Sequence, residues 1–388
     1  MVNDNIKKKK ILIVHNKYRN IGGEDIAVEN EIEFLKTFND VKVIFFENKI
    51  NQIFKQVISF LKNSNNESTN YFINEYNSFN PDIVYIHNTW FKASIGIFRL
   101  LEKSNVKVLI KLHNFRYYCT KSWTKKNHLR KKDICEACGF EKYESLFFNK
   151  YFQDSFLKSV FMILYGKAYF KILKNNKFKL LVLTDFHRSF LSDLGIDKEN
   201  IFVYPNYLSH KDEFNEPGEN YIIYAGRISK QKGVEELILS FLEADTHSLK
   251  LKIVGDGPTL DILKEKYKNP KIDFLGLRKN SEVIELIKRS KAVVSATKLY
   301  EGQPTLLCEA SLLGKPSIFP DFGGIPEFFK NDYPFKFEQY NYQELTKKIN
   351  DIHSSEGLKE IGKENKNYIL SVTDRKKLLE KFHHIVYA

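Results

Sequence analysis

This sequence of 388 residues has no long apolar run and lacks several short motifs that would narrow its function. No stretch approaches the roughly 18 uncharged apolar residues that a membrane-spanning helix needs. The dinucleotide fingerprint GxGxxG does not occur, which argues against a dehydrogenase. An Asp-x-Asp element, which could hold a catalytic cation, is also missing. No internal repeat is visible.

Phenylalanine and tyrosine are abundant, and aromatic residues make up 14% of the chain, which argues against disorder. A chain of 388 residues exceeds one ordinary hydrophobic core, so we expect two domains. The opening KKKKILIVHN joins a basic cluster to an apolar run of only four residues. That run is too short for a signal peptide, and we therefore expect a cytoplasmic protein.

The basic residues are concentrated in the first half of the chain. Nearly all of the net charge of +13 lies before Pro205, and the remainder is almost balanced. A basic face of this kind suits nucleic acid, an anionic membrane surface or phosphorylated ligands. A lysine-rich composition without any such partner is the alternative, which the segregation to one half disfavours.

Short apolar runs, each followed by a helical pattern, recur along both halves. Runs that are apolar on both faces and alternate with helices predict parallel sheets with helices on both sides. Two sets of such runs predict an α/β fold of two doubly wound domains. The boundary is expected in the polar segment 205–220, which carries Pro205, Pro217 and Gly218. The closing segment 373–388 has the pattern of a capped helix that could pack on either domain.

Residues that directly follow predicted strands are the candidates for a binding site, because ligands of open parallel sheets bind beyond the carboxyl ends of the strands. With two such domains facing each other, the natural site is the cleft between them. Gly22-Gly23 follows the first strand and precedes a helix, which suits a phosphate, although such a pair is more often a plain turn. After the seventh strand, AGRISKQKG carries Arg227 and Lys232, which could bind a diphosphate.

The segment 299–316, LYEGQPTLLCEASLLGKP, combines two acids with an apolar helix. A buried helix is predicted from about Pro304 to Leu313, with Glu301 just before it and Glu309 inside it. Buried acids need partners. A hydroxylated ligand would supply donors to both carboxylates, and the alternative is an internal lysine or arginine that pairs with Glu309. The nearby Arg/Lys loop favours the ligand.

Together, YAGRISKQKG, IVGDGP and EGQPTLLCEASLLGKPSI with GGIPE resemble the retaining GT-B glycosyltransferases of family 4, the glycosyl transferases group 1. The resemblance covers most of the C-terminal half, and it reaches the N-terminal half through the Gly-Gly loop, PDIVYIHN and KLHNFRYYC. It implies two Rossmann-like domains facing across a cleft. Residues 1–205 would bind the acceptor, 206–372 would bind a UDP- or GDP-sugar donor, and 373–388 would form a C-terminal helix.

The resemblance also implies a role for each matching residue. Arg227 and Lys232 would hold the donor diphosphate, Glu309 the nucleotide ribose, and Glu301 the transferred sugar. His113 would contact that sugar near the reaction centre, and the leaving phosphate would deprotonate the acceptor, so no catalytic metal is needed. The expected catalytic residues are His113, Glu301, Arg227 and Lys232, and the expected donor-binding residues are Gly23, Arg227, Lys232, Gln303, Pro304, Thr305, Leu306 and Glu309.

A cysteine-containing insert at about 114–140 is the least settled feature. Cys135-x2-Cys138 has zinc-like spacing, and Cys119 with His128 would complete a structural Cys3His site. Thiols without a metal are the alternative, and a cytoplasmic chain argues against a permanent disulfide.

The insert and the segment after it are also basic and aromatic, which suits an anionic inner-membrane surface presenting a polyprenyl-diphosphate-linked glycan. We therefore expect a retaining, metal-independent hexosyl- or N-acetylhexosaminyl-type transferase. It would act in bacterial surface polysaccharide synthesis, such as capsule or O-antigen, peripherally on the inner face of the cell membrane.

A nucleotide-sugar epimerase or phosphorylase of the same fold is one alternative. A basic zinc-containing nucleic-acid-binding protein is another, but it leaves the second half unexplained, so no nucleic-acid partner is expected.

Overall fold

The chain divides into two compact units. Unit 1 combines Met1–Tyr207 with Arg375–Ala388, and unit 2 is Leu208–Asp374. The computed structural model describes residues 8–17, 23–47, 65–89, 93–121, 129, 132–141, 156–209 and 219–387. Within these ranges, no helix is both long enough and apolar enough to cross a lipid bilayer.

The described part of unit 1 contains a six-stranded parallel sheet in the order β2-β1-β3-β4-β5-β6. The order changes direction after β2, so that β1 and β3 are neighbours at a topological switch point. The elements of unit 1 up to β6 are β1 (Lys10–Lys17), α1 (Gly23–Lys36), β2 (Asp40–Glu47), α2 (Asn66–Phe79), β3 (Ile83–Asn88), α3 (Gly96–Lys103), β4 (Lys107–Leu112), α4 (Arg116–Lys121), α5 (Phe156–Leu173), β5 (Phe178–Val182), α6 (Asp185–Asp193) and β6 (Ile201–Val203).

Both faces of this sheet are covered. Leu12 and Val14 of β1 belong to one apolar cluster, whereas Ile11 and Ile13 belong to another on the opposite face, because successive side chains of a strand alternate in direction. The second cluster includes apolar residues of the C-terminal helix, such as Phe382. That helix is therefore part of the core of unit 1.

The described part of unit 2 contains a second six-stranded sheet in the order β12-β11-β10-β7-β8-β9. Its strands are parallel, and its switch point lies between β7 and β10. The remaining elements are β7 (Tyr221–Ala225), α7 (Val234–Glu243), β8 (Lys250–Val254), α8 (Leu260–Lys266), β9 (Ile272–Gly276), α9 (Asn280–Arg289), β10 (Ala292–Val294), α10 (Thr305–Leu312), β11 (Ser317–Pro320), β12 (Lys336–Phe337), α11 (Tyr342–Ser354), α12 (Leu358–Val372) and, in unit 1, α13 (Arg375–Tyr387).

The prediction of two parallel sheets with alternating helices is confirmed. The strand β12 was not predicted, because two residues are too few to form a recognisable apolar run.

A buried ion pair fixes α1 to the centre of the sheet in unit 1. Lys111 Nζ donates to Glu31 Oε2 at 2.6 Å, and both side chains are fully buried. The hydroxyl of Tyr85 donates to the other carboxylate oxygen of Glu31 at 2.6 Å. Burial lowers the pKa of Lys111, and the neighbouring Glu31 carboxylate opposes that effect. Removing one partner would leave a buried charge without compensation.

We predict that Lys111→Met lowers the free energy of unfolding of unit 1 by about 3–5 kcal/mol, since Glu31 would then be buried without a counter-ion. Urea unfolding followed by tryptophan fluorescence measures this, because both tryptophans of the chain, Trp90 and Trp123, belong to unit 1.

The double variant Glu31→Leu/Lys111→Met is the control. It removes both charges and should recover part of the lost stability. A single variant as stable as the wild type, or a double variant less stable than the single one, would contradict the assigned role of the pair.

Candidate functional site

Two predicted loops meet at the switch point of unit 2. Arg227 and Lys232 follow β7, and Glu301 follows β10, which is the hydrogen-bonded neighbour of β7. The backbone N–H of Lys298 donates to the Gln231 carbonyl oxygen at 2.9 Å, which joins the two loops directly. Ligands of doubly wound sheets bind at such a point, beyond the carboxyl ends of the strands.

An ion pair between Lys232 and Glu301 lies where the loops meet. The hydroxyl of Thr297 also donates to Glu301 Oε1, at 3.2 Å. The side chains of Lys232 and Glu301 are 30% and 25% exposed, respectively, so both can be reached from solvent. Arg227, directly after β7, is exposed. The loops thus present two cations and one acid at a single edge of the sheet.

Two glycines allow the strand-end loops of unit 2 to pack closely. Gly233, at the start of α7, has a φ of +65°, and a Cβ atom there would lie 1.9 Å from the carbonyl oxygen of Ala296. Gly255, after β8, has a φ of +137°, and its Cβ atom would lie 1.9 Å from the Gly226 carbonyl oxygen. One glycine of AGRISKQKG and one of IVGDGP are therefore explained by packing around the switch point.

The helix α10 begins beside Glu301 and differs from its predicted form. Thr305, Leu306 and Glu309 are only half-buried, whereas Cys308 and Ala310 are fully buried. The expectation that Glu309 is buried inside the helix is thus wrong. Residues three and four positions apart share a helix face, and Glu309 lies on the one face that the core does not cover completely.

The start of α10 offers backbone donors. Amides of the first helical turn have no intrahelical acceptor, so those near Thr305 and Leu306 can bind an anion. Pro304 precedes the helix, and the side chain of Gln303 is nearly buried. The backbone N–H of Gly324 donates to the Glu301 carbonyl oxygen at 2.9 Å, which fixes the segment that leads into the helix.

The switch point of unit 1 gathers histidines rather than charged pairs. His15 Nε2 and Asp25 Oδ1 lie 2.9 Å apart, and both side chains are buried. His87 Nδ1 and His113 Nε2 lie 3.0 Å apart, with their rings stacked. Gly23, another predicted residue, is the first residue of α1. His113 therefore belongs to a cluster at the carboxyl ends of β1, β3 and β4.

Burial lowers the pKa of His87 and His113 well below the usual histidine value. The charge of His113 adds to the effect at His87, and that of Lys111 adds to it at His113. Both rings are therefore neutral at neutral pH. A neutral ring can donate one hydrogen bond and accept another, so the pair can orient a polar ligand without adding positive charge.

Sequence reasoning identified His113 but missed His15, Asp25 and His87. A signal was available, because the predicted strands ILIVH, DIVYIHN and KVLIKLH each carry a histidine at or next to their carboxyl end. Three parallel strands with such histidines bring them to the same edge of a sheet. The contact between His15 and Asp25 could not be predicted in this way, since it depends on how α1 leaves the sheet.

The structure also brings together the three cysteines of the insert. The Sγ atoms of Cys119, Cys135 and Cys138 lie within 4.8 Å of one another. His128, the predicted fourth ligand, lies outside the described residues, as does much of the basic part of the insert.

Residues 208–369 match the family model described as "Glycosyl transferases group 1". This segment is similar in sequence to that family, and it contains the switch point with Arg227, Lys232, Glu301 and Glu309. The predicted resemblance is confirmed at this level. The assignment to retaining enzymes of family 4 stays a prediction.

Two curated relatives carry names from polysaccharide synthesis. The amylovoran biosynthesis glycosyltransferase AmsD of Erwinia amylovora is 26% identical over 195 residues, which cover 47% of this chain and 54% of the relative. The capsular polysaccharide biosynthesis glycosyltransferase CapM of Staphylococcus aureus is 28% identical over 202 residues, covering 49% of each chain. The chain thus spans about half the length of these curated relatives.

Solved structures show the fold over nearly the whole chain. Anabaena HepE, crystallised in complex with UDP and glucose, superposes with a TM-score of 0.66 at 16% identity, covering 98% of this chain and 99% of HepE. With the two parallel six-stranded sheets of the described residues, this likeness establishes the predicted GT-B fold class.

We predict that Gly233→Ala destabilises unit 2 more than Gly276→Ala. Both glycines have nearly the same positive φ, which costs an alanine about 1–2 kcal/mol, but a Cβ atom at Gly276 meets nothing within 4 Å. At Gly233 it meets the Ala296 carbonyl oxygen. Differential scanning calorimetry measures the melting temperatures of both variants. Equal decreases would show that the close packing of the two loops does not contribute to stability.

Proposed function

We propose that the protein is a retaining glycosyltransferase that moves a sugar from a nucleotide-sugar donor to a hydroxyl group of a glycan. The observation that carries the proposal is the meeting of Lys232 and Glu301 at the switch point of a glycosyl transferases group 1 segment. The names of AmsD and CapM support a role in bacterial surface polysaccharide synthesis. The polysaccharide would be a capsule, an O-antigen or a similar polymer, and the acceptor a glycan or a polyprenyl-diphosphate-linked glycan.

The donor is proposed to bind unit 2. Arg227 can bind a diphosphate oxygen pair bidentately, and Lys232 adds a point charge. The first-turn amides of α10 suit the same phosphates. Glu309, half-buried on the same helix face as Leu306, would accept hydrogen bonds from the ribose. The UDP in the HepE complex supports a uridine or other nucleoside diphosphate as the nucleotide part.

The ion pair explains how the site stays intact without a donor. Each of its two charges compensates the other when the site is empty, and neither is fully desolvated. A bound donor would offer a phosphate to Lys232 and sugar hydroxyls to Glu301. Lys232 and Glu301 would thus pair with each other before the donor binds and with the donor afterwards. The desolvation of the Glu301 carboxylate is therefore offset in both states.

The proposed reaction breaks the bond between the anomeric carbon and the donor phosphate oxygen, and forms a bond to the acceptor oxygen on the same face. The departing diphosphate takes the acceptor proton. Arg227, Lys232 and the helix amides stabilise the negative charge that develops on it, which is where most of the catalysis arises. The mechanism requires no metal ion. His113, neutral because of burial, is proposed to hydrogen-bond to the donor sugar.

The basic first half is proposed to contact the anionic inner-membrane surface where a lipid-linked acceptor resides. The net charge of +13 lies almost wholly in that half, and basic surfaces are attracted to anionic lipid within a Debye length. The protein would then act peripherally on the inner face of the cell membrane.

We predict that Lys232→Met lowers turnover by about 10²–10³-fold, the loss typical of removing one charge-stabilising donor. Glu301→Gln should also lower turnover severely, because it removes the counter-ion of Lys232 and replaces a charged acceptor of the sugar hydroxyls with a weaker neutral one. Release of UDP or GDP from a panel of their sugars, with lipid-linked glycans extracted from bacteria as acceptor, measures the rates.

Lys230→Met is the matched control, since Lys230 is an exposed cation of the same short turn and should retain turnover. Near-normal turnover by Lys232→Met or Glu301→Gln would contradict the proposed site. Turnover that does not depend on an acceptor would instead favour an epimerase or phosphorylase. Inverted anomeric configuration of the product, read by NMR, would contradict retention.

A further inference from the structure

Three cysteine side chains that the proposed transfer does not use come together beside α4. The Sγ atoms of Cys119, Cys135 and Cys138 all lie within 4.8 Å of one another, and those of Cys119 and Cys135 are 3.1 Å apart. A disulfide bond is much shorter, at about 2.05 Å. All four cysteines of the chain are among the described residues, and none forms a disulfide. The cluster is thus a set of three adjacent thiols.

A tight turn brings two of these thiols together. The backbone N–H of Cys135 donates to the Phe140 carbonyl oxygen at 2.8 Å, and the N–H of Gly139 donates to the Cys135 carbonyl oxygen at 2.7 Å. Gly139 has a φ of +75°, which favours glycine and lets the chain reverse directly after Cys138. Residues 134 and 141 pair as an antiparallel bridge at the base of the turn. The third thiol, Cys119, comes from α4.

The apolar core beside this turn is small. Its apolar cluster consists of Cys119, Leu129 and Cys135, with partly buried residues packed against them, and it is separate from the main core clusters of unit 1. Apart from the single bridge, the described residues 132–141 form no strand or helix. Small substructures with so little core usually depend on a covalent or metal crosslink.

We propose that Cys119, Cys135 and Cys138 bind a structural zinc ion. A tetrahedral zinc with Zn–S bonds of about 2.3 Å holds its sulfur ligands about 3.8 Å apart. That distance falls between the 3.1 Å that separates Cys119 from Cys135 and the 4.8 Å limit of the cluster. The Cys135-x2-Cys138 spacing is common in structural zinc sites. Each thiol loses its proton to solvent when it binds the ion.

The chemistry of the donor set selects zinc over harder cations. Thiolates are soft ligands that favour zinc, whereas magnesium and calcium prefer oxygen ligands. Among the described residues, no other histidine, cysteine, aspartate or glutamate joins the cluster. The three thiolates would therefore supply three of the four ligands of the ion. The surrounding sequence from Arg116 to Lys132 is rich in lysine and arginine, which offsets the negative charge of a zinc–thiolate group.

The site would connect the turn to the histidine cluster of unit 1. Cys119 belongs to α4, which begins three residues after His113. Tyr117, on the same helix, makes a buried 2.7 Å hydrogen bond between its hydroxyl group and His187 Nε2. Zinc would thus fix the turn to a helix that is already anchored in the core. Its role would be structural support for the segment that follows His113.

Metal analysis of the full chain, purified from zinc-supplemented cells without chelator, tests the proposal. We expect about one zinc ion per chain, and X-ray absorption at the zinc edge should show three sulfur ligands at about 2.3 Å. Cys119→Ser, Cys135→Ser and Cys138→Ser should each lose the ion. Cys308→Ala is the matched control, since Cys308 is a buried thiol of unit 2, and it should keep the ion.

A second measurement does not depend on whether the serine variants fold. In the native wild-type chain, Ellman's reagent should leave the three thiols unmodified until a zinc chelator is added, after which all three should react. Zinc well below one ion per chain, fewer than three sulfur ligands, retention of zinc by the serine variants, or a disulfide among these cysteines in the unreduced chain would each overturn the proposal. None of these results depends on the transfer activity.

Discussion

The ion pair between Lys232 and Glu301 joins two segments that are 69 residues apart in the sequence. The surrounding structure of unit 2 is arranged to bring them together. The turn that carries Lys232 ends at Gly233, where a side chain would collide with Ala296 at the end of the neighbouring strand region. A partly exposed pair contributes about 1 kcal/mol or less to stability. The close packing around this pair is therefore better explained by a ligand that binds both charges than by the pair itself.

The two units present different chemistry at equivalent positions of their sheets. At its switch point, unit 2 carries charged side chains and helix amides, which suit a nucleoside diphosphate and its sugar. Unit 1 carries the buried His87 and the half-buried His113, whose pKa values are lowered, together with the buried pair of His15 and Asp25. Neutral hydrogen-bonding groups suit hydroxyl-rich ligands, since they orient a sugar without competing for the phosphate.

Much of unit 2 could be predicted from the sequence, because its site residues lie in loops that directly follow recognisable apolar strands. The placement of Arg227, Lys232 and Glu301 after strands followed from that rule and the family motifs, whereas their roles stay predictions. The burial of Glu309 was predicted wrongly. The leucines and the alanine around it in the sequence suggest a helix buried on all sides, whereas one face of α10 is only partly covered by the core.

The site of unit 1 was harder to predict because its contacts depend on strand order. β1 lies beside β3, and β4 follows, so residues far apart in sequence become neighbours. The pair His87–His113 arises in this way, and the pair Glu31–Lys111 depends in addition on how α1 packs on the sheet. Periodicity identifies strands, but it does not give their order. The cysteine cluster could be predicted in part. The Cys135-x2-Cys138 spacing is visible in the sequence, whereas the approach of Cys119 depends on the fold.

The proposed transfer requires that the switch point of unit 2 bind a nucleoside diphosphate. Thermal unfolding of the full chain against UDP, GDP, ADP and their sugars tests it most directly, because a ligand at 100 times its Kd stabilises the native state by about 2.7 kcal/mol. Nucleotides of one base should raise the melting temperature of the wild-type chain, and Lys232→Met should abolish this rise. A chain that no nucleotide stabilises, or a rise that persists in Lys232→Met, would contradict it.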